Sequence, residues 1–168
     1  MNSGLINISD TVTDFVALST GDKSINLSDY LGQYIVIYFY PKDNTPGCTQ
    51  EGIAFRDAHE QFTALNAVIF GVSRDSIKMH ESFKAKQAFP FDLLSDPDEV
   101  LCNLFEVIKM KAMYGKQVRG IERSTFLIDT NGLLIHEWRK VKVKNHCEDV
   151  LNVLSTASKI SSLINPKN

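Results

Sequence analysis

The stretch YPKDNTPGCTQE, residues 40–51, carries one of only three cysteines in the chain. Cys48 follows Thr45, Pro46 and Gly47. Thr45 is a good helix N-cap and Pro46 a good first helical residue, which places Cys48 in a first turn. Backbone N–H groups without intrahelical partners point there, and the helix dipole favours an anion. Only the thiolate attacks an electrophile, and a free thiol with a pKa of about 8.5 is mostly protonated at neutral pH. A first-turn cysteine is therefore placed to become a nucleophile, with Gly47 leaving room for a small molecule to approach the backbone. Placement alone leaves a second reading open, in which Cys48 is a small buried hydrophobe.

Elements on either side must position that thiol. Before it, YIVIYFY (34–40) is almost wholly apolar, β-branched and aromatic, the pattern of a strand buried on both faces. After it, Phe55, Ala58, Phe62 and Leu65 recur at helical spacing. AVIFGVS (67–73) predicts a second buried strand, DSIKMHESFKAKQ an amphipathic helix and FDLLS (91–95) a third strand. DPDEVLCNLFEV predicts a short helix beginning near Asp96, with Pro97 at its first position. Upstream, VTDFVALS (12–19) and SINLSDYLG predict strands, then one helical turn that Ser28 caps. Asn131-Gly132 marks a hairpin turn in STFLIDTNGLLIHEWRKV. The basic segment VIKMKAMYGKQVRG (107–120) reads as a solvated loop or a partner surface, and NHCEDVLNVLSTASKI as a closing helix with Val150, Leu151 and Leu154 on one face. Buried strands joined through helices, then an antiparallel hairpin, predict an α/β protein: a central mixed β-sheet flanked by helices, of thioredoxin-like type.

The 168 residues suit one domain (1–168), with about the last eight residues frayed. A net charge of -2 offers no basic stripe for nucleic acid, and no apolar run approaches the roughly 20 residues of a membrane span. The N-terminal residues lack a secretory pattern, and three widely spaced cysteines make no disulfide framework, so the expected compartment is the cytoplasm. His59, His80, His136 and His146 are scattered, with no metal-ligand spacing, and are expected at the surface or half-buried. No C-x-x-C follows Cys48, and Arg56 stands at the wrong distance for a phosphatase cradle.

Pro41, Thr45 and Cys48 form P-x-x-x-T-x-x-C directly after the apolar strand. With FYPKDNTPGCTQE, FGVSRDS, FDLLSD and MYGKQVRGIERSTFLID in this order, the chain resembles the peroxiredoxins, in the branch called peroxiredoxin Q or bacterioferritin comigratory protein. The resemblance runs from about Val12 to Leu154. It implies a thiol peroxidase in which Cys48 attacks the O–O bond of a hydroperoxide and becomes a sulfenic acid. Thr45 would hydrogen-bond peroxide or thiolate, the N–H groups of Gly47 and Cys48 would donate at the helix mouth, and Pro41 would shield the sulfur. Arg123 matches the family's active-site arginine; read alone, it is a solvated charge at a strand start. Glu51 matches an acidic residue that orients the arginine, although the helix dipole alone would explain a carboxylate there.

The resolving cysteine is where the chain departs from its relatives. Many members carry one five residues after the first, where Ile53 stands, or in the following helix, where Lys84 is the best match. Cys102, among apolar neighbours, reads as core packing, and Cys147, beside His146 at a helix start, as incidental; either is a weak candidate for resolving Cys48. The expected mechanism is one-cysteine, with reduction by an external thiol such as thioredoxin, glutaredoxin or glutathione. It needs no cofactor and no metal, and monomer or weak dimer both fit. The rival reading is a peroxide sensor that reports oxidation to a partner instead of turning over.

Overall fold

The computed structural model describes residues 6–164. Among them the elements run β1 (Val16–Ser19), β2 (Lys23–Asn26), a 3-10 turn (Leu27–Tyr30), β3 (Tyr34–Phe39), α1 (Pro46–Asp57), α2 (His59–Ala64), β4 (Ala67–Ser73), α3 (Ile77–Gln87) and β5 (Asp92–Ser95). There follow α4 (Val100–Leu104), β6 (Ile108–Met113), β7 (Lys116–Ile121), β8 (Ser124–Ile128), β9 (Leu134–Trp138) and α5 (His146–Ile164). Seven strands pair in the order β2-β1-β5-β4-β3-β8-β9, and β6 pairs with β7 alone. β3, β4 and β5 are parallel, joined through α1/α2 and α3, while β1, β2, β8 and β9 add antiparallel pairs. The sheet is mixed and flanked by helices, as the buried strands predicted.

Every residue of β3 is buried. Strand alternation sends Tyr34, Val36 and Tyr38 into one layer with Phe55, Phe62, Phe83, Val150 and Leu154 from the helices. Ile35, Ile37 and Phe39 enter the opposite layer with Phe15, Leu101, Phe105 and Phe126. Each such aromatic or aliphatic side chain gains roughly 2–3 kcal/mol on burial, so the strand is the spine of both cores. Two glycines let elements close on it. A Cβ at Gly52 of α1 would lie within 3.1 Å of three Phe89 ring carbons, and one at Gly71 of β4 within 2.9 Å of Tyr38 and Leu93.

Several boundaries differ from those expected. The helical run after Cys48 breaks at Ala58 (φ -96, ψ 0), so α1 and α2 are separate. The helix near Asp96 begins only at Val100, because Glu99 takes a left-handed conformation (φ 61). Asp96 still serves it, accepting from the N–H groups of Leu101 and Cys102 at 3.1 and 2.8 Å. Asn26, not Ser28, precedes the 3-10 turn, and no side chain caps it. Residues 107–120 are no loop: β6 and β7 make a regular hairpin turning at Tyr114-Gly115. Residues 161–164, expected to fray, continue α5; 165–168 lie outside the described residues.

Candidate active site

Cys48 sits at the third position of α1 and is only 2% exposed. The helix starts where β3 ends, so the chain turns from sheet to helix across the loop 40–45. Thr45 occupies the N-cap in an extended conformation, and Pro46 follows at the first helical position. The Thr45 hydroxyl does not cap the helix, however. It donates to the Lys42 carbonyl at 2.7 Å, which leaves the first-turn N–H groups uncapped by that side chain and its own proton engaged within the loop. Pro41 is half-buried in the same loop.

Arg123 arrives from 75 residues away. β8 runs antiparallel to β3 with Ser124 opposite Phe39, so the residue just before β8 emerges beside the end of β3. Its Nη2 lies 3.5 Å from Cys48 Sγ, and its Nη1 donates to Glu51 Oε1 at 2.7 Å. Glu51 is 1% exposed, one turn along α1 from the thiol. Burial pushes its carboxyl from 4.5 up to about 7, with the Arg123 charge pulling the other way. Burial would weaken the guanidinium's hold on its proton, but the charges of Glu51 and Cys48 more than offset that, so Arg123 stays cationic. The space beside Gly47 is taken by the same guanidinium, not left open. A Cβ there would meet Arg123 Nη2 at 3.1 Å.

Other polar residues near the site gave little sign in sequence. Tyr38 lies under it with a buried hydroxyl that finds no partner among the described residues. Burial first, then the charges of Glu51 and Cys48, push its phenol well above the usual 10. A tyrosine on the helix-facing side of a fully buried strand was the available signal. His80 and His146 are not surface residues but 0% and 4% exposed. His146 Nε2 lies 2.7 Å from Thr125 Oγ1, and burial holds its imidazole down at about 4, hence neutral at physiological pH. His80 bonds Asp43 through Nδ1 (2.6 Å) and the Leu94 carbonyl through Nε2 (2.8 Å), and the Tyr40 hydroxyl donates to Asp43 (2.6 Å). The Asp43 N–H donates to Asp75 at 2.9 Å. Asp43, Asp75 and His80 thus cluster where no grouping was expected, their polar atoms engaged in a network that ties the loop before Cys48 to α3 and β5. A groove of about 610 Å³ between α5 and the β8–β9 turn contains none of these residues.

The description of the AhpC/TSA family matches residues 8–137. The chain belongs to the AhpC/TSA family. It is 52% identical to Peroxiredoxin Bcp of Bacillus subtilis over 153 residues, covering 91% of this chain and 98% of that one. Against Peroxiredoxin Bcp of Xanthomonas campestris it is 48% identical over 159 residues, 95% and 99% of the two chains. A solved mutant of Xylella fastidiosa PrxQ superposes with a TM-score of 0.87 at 49% identity, covering 91% and 98%. The fold is accordingly thioredoxin-like, and the protein is a peroxiredoxin, a thiol-dependent peroxidase of the peroxiredoxin Q or Bcp kind.

In this peroxiredoxin all three cysteines are free and buried. Cys102 packs in the core layer on the far side of the sheet from Cys48, and burial with the nearby Asp96 carboxylate drives its thiol far up. Cys147 shares the layer of Cys48, but its sulfur points to the Ala54 carbonyl at 3.5 Å. Its place at the start of α5 does not activate it, since burial pushes the thiol up to about 12. Ile53 is half-buried against the core, and Lys84 pairs with Asp92 at 2.8 Å.

Proposed function

We propose that this peroxiredoxin reduces hydrogen peroxide and organic hydroperoxides by a one-cysteine cycle on Cys48. The observation that carries the reading is the single guanidinium of Arg123 held between the Cys48 sulfur and the Glu51 carboxylate. A cation there attracts the peroxide oxygens and stabilises the charge that develops on them as the O–O bond breaks. The thiolate attacks one oxygen, the O–O bond breaks, and the alkoxide or hydroxide leaves to take a proton. Cys48 remains as the sulfenic acid. The N–H groups of Gly47 and Cys48 donate at the helix mouth, and Glu51 fixes the angle of Arg123. Pro41 limits water at the sulfur. Thr45 shapes the loop through Lys42 and donates to peroxide only if its hydroxyl rotates.

An external thiol then attacks the sulfenic sulfur, releasing water, and a second thiol frees Cys48. Thioredoxin, glutaredoxin and glutathione are candidate reductants. Supporting this are the residues at the familiar resolving positions, Ile53 and Lys84, and the sheet that stands between Cys48 and Cys102. The protein acts as one domain, monomeric or weakly dimeric, in the cytoplasm, where its three free thiols stay reduced. No described helix is long and apolar enough to cross a membrane.

Intact mass after one equivalent of hydrogen peroxide, with peptide mapping, tests the cycle. One added oxygen on Cys48 is expected. A stoichiometric loss of two hydrogens, mapped to Cys48–Cys147 or Cys48–Cys102, would replace the one-cysteine cycle by a two-cysteine one.

A further inference from the structure

Charge is distributed very unevenly over this chain. Residues 107–123 and 138–145 hold nine of its 18 lysines and arginines but only one of its 20 acidic residues, Glu122. The remainder carries nine cations against nineteen anions. The fold brings both basic segments to the end of the sheet where Cys48 lies. The hairpin is rooted beside the catalytic arginine, with the Glu122 N–H donating to the Val107 carbonyl at 2.7 Å. The second segment follows β9 and passes the same point, with the Val141 N–H donating to the Arg123 carbonyl at 3.0 Å. Arg139 ties the second segment to the chain just before the hairpin, donating to the Phe105 and Glu106 carbonyls at 2.9 Å each.

Some of these cations are already satisfied. Arg119 pairs with Glu99, which also holds Arg74, and Arg139 lies 3.5 Å from Glu137. Lys111 bonds the Ile121 carbonyl and is close enough to Arg123 and Cys48 to feel their charges. Lys109, Lys116, Lys140, Lys142 and Lys144 remain exposed, with no ion-pair partner among the described residues. The pairing of β6 with β7 puts Lys109, Lys111, Met113, Lys116 and Val118 on one face of the hairpin. Met113 and Val118 are exposed there, and Tyr114 at the tip is 97% exposed.

We propose that these two segments form a docking rim for an acidic dithiol protein that reduces the Cys48 sulfenic acid. The proposal rests on the peroxidase reading above. A small anionic peroxide would need one cation close to the sulfur, and Arg123 supplies it. Five free lysines along a hairpin about 20 Å long and a neighbouring loop suit a protein surface instead. Exposed Met and Tyr beside the charges fit the centre of such an interface, with the lysines steering from its edge. In the step itself the partner's thiolate attacks the Cys48 sulfur, the S–O bond breaks and water leaves. The partner's second thiol then attacks the mixed disulfide and releases Cys48 as a thiol.

Stopped-flow reduction of the pre-oxidised protein tests this, with reduced thioredoxin of net negative charge as the probe and dithiothreitol as the uncharged control. Lys109→Glu/Lys116→Glu and Lys142→Glu/Lys144→Glu should each lower the thioredoxin rate constant about tenfold or more and flatten its fall with salt. The corresponding Lys→Gln pairs should lower it less, which guards against misfolding of the glutamate variants. Oxidation by hydrogen peroxide and reduction by dithiothreitol should stay within about twofold of wild type. A wild-type thioredoxin rate that ignores salt and the substitutions would overturn the rim, and so would an equal loss with dithiothreitol. A loss confined to oxidation by a carboxylate-bearing hydroperoxide would overturn it too, making the rim a substrate gate. If hydrogen peroxide fails to oxidise Cys48 in wild type, the peroxidase reading falls first and the docking role with it.

Discussion

Glu51 and Arg123 are held 2.7 Å apart, Oε1 to Nη1, although one lies on the first helix after β3 and the other 72 residues later, just before β8. The pair is almost dry: their side chains are 1% and 16% exposed. Neither residue alone fixes the geometry at Cys48. Glu51 supplies the anchor, and Arg123 carries the charge from the anchor to the sulfur.

Replacing that cation should show how much of the chemistry it supports. Arg123→Lys keeps the charge but cannot reach two partners at once with fixed angles. The second-order rate constant for Cys48 oxidation by hydrogen peroxide should fall about 100-fold to 1,000-fold, as for loss of one preorganised donor. Competition kinetics against a reference peroxidase would measure it, and a loss below about threefold would remove Arg123 from the mechanism.

Gly47 tests the same contact from the other side. Gly47→Ala introduces no left-handed strain, because Gly47 is not among the residues with positive φ. Its methyl would press on Arg123 Nη2 at 3.1 Å, and Glu51 leaves the guanidinium little freedom to move aside. Oxidation of Cys48 should slow by about tenfold while thermal stability shifts by less than about 1 kcal/mol. Equal oxidation rates in the two proteins would mean that the arginine tolerates displacement.

The buried carboxyl of Glu51 also leaves a mark on stability. Its value rises from 4.5 to about 7 on folding, so the native state binds more protons than the unfolded state between those limits. That stabilisation is fully present below about 4.5 and is lost as pH rises through about 7. His146, lowered from 6.5 to about 4, acts oppositely, and its contribution is lost as pH falls through about 4. The two therefore oppose each other over much of the acid range. Urea titrations of wild type and Glu51→Gln, compared at each pH, should isolate the first effect. The wild-type advantage should shrink with rising pH by up to about 3 kcal/mol. A difference that grows with pH would show the carboxyl to be lowered, not raised.

Gly52→Ala should be costly for a different reason. Alanine normally strengthens a helix by up to about 1 kcal/mol over glycine. Here the methyl would run into the Phe89 ring, which packs between Phe83 and Phe91. Overpacking at such a site costs about 1–3 kcal/mol, so a net loss is expected in urea unfolding. A stabilised variant would mean that the Phe89 ring can step aside.

Residue order alone is enough for the strand before Cys48, the helix that begins at Pro46 and the hairpin at Asn131-Gly132. Each of these is written in local residue order: apolar runs, caps and turn residues act over a few positions. It also determined the family, because the motif around Cys48 and the ERSTFLID segment occur together in order. What brought Arg123 to Cys48 was the antiparallel seating of β8 on β3, a relation between segments far apart in the chain. The same holds for Cys102, which the sheet separates from Cys48, and for Glu51, whose place near the start of α1 fits an ordinary solvated carboxylate until burial and Arg123 are known. His80 and His146 were expected at the surface or half-buried, because nothing local reveals which face of a helix the rest of the chain will cover. Residues 107–120 read as a solvated loop or a partner surface, and only the fold brings residues 138–145 beside them at Arg123. Periodicity and caps act within a segment, whereas ion pairs, desolvation and shared surfaces need partners that only the folded chain supplies.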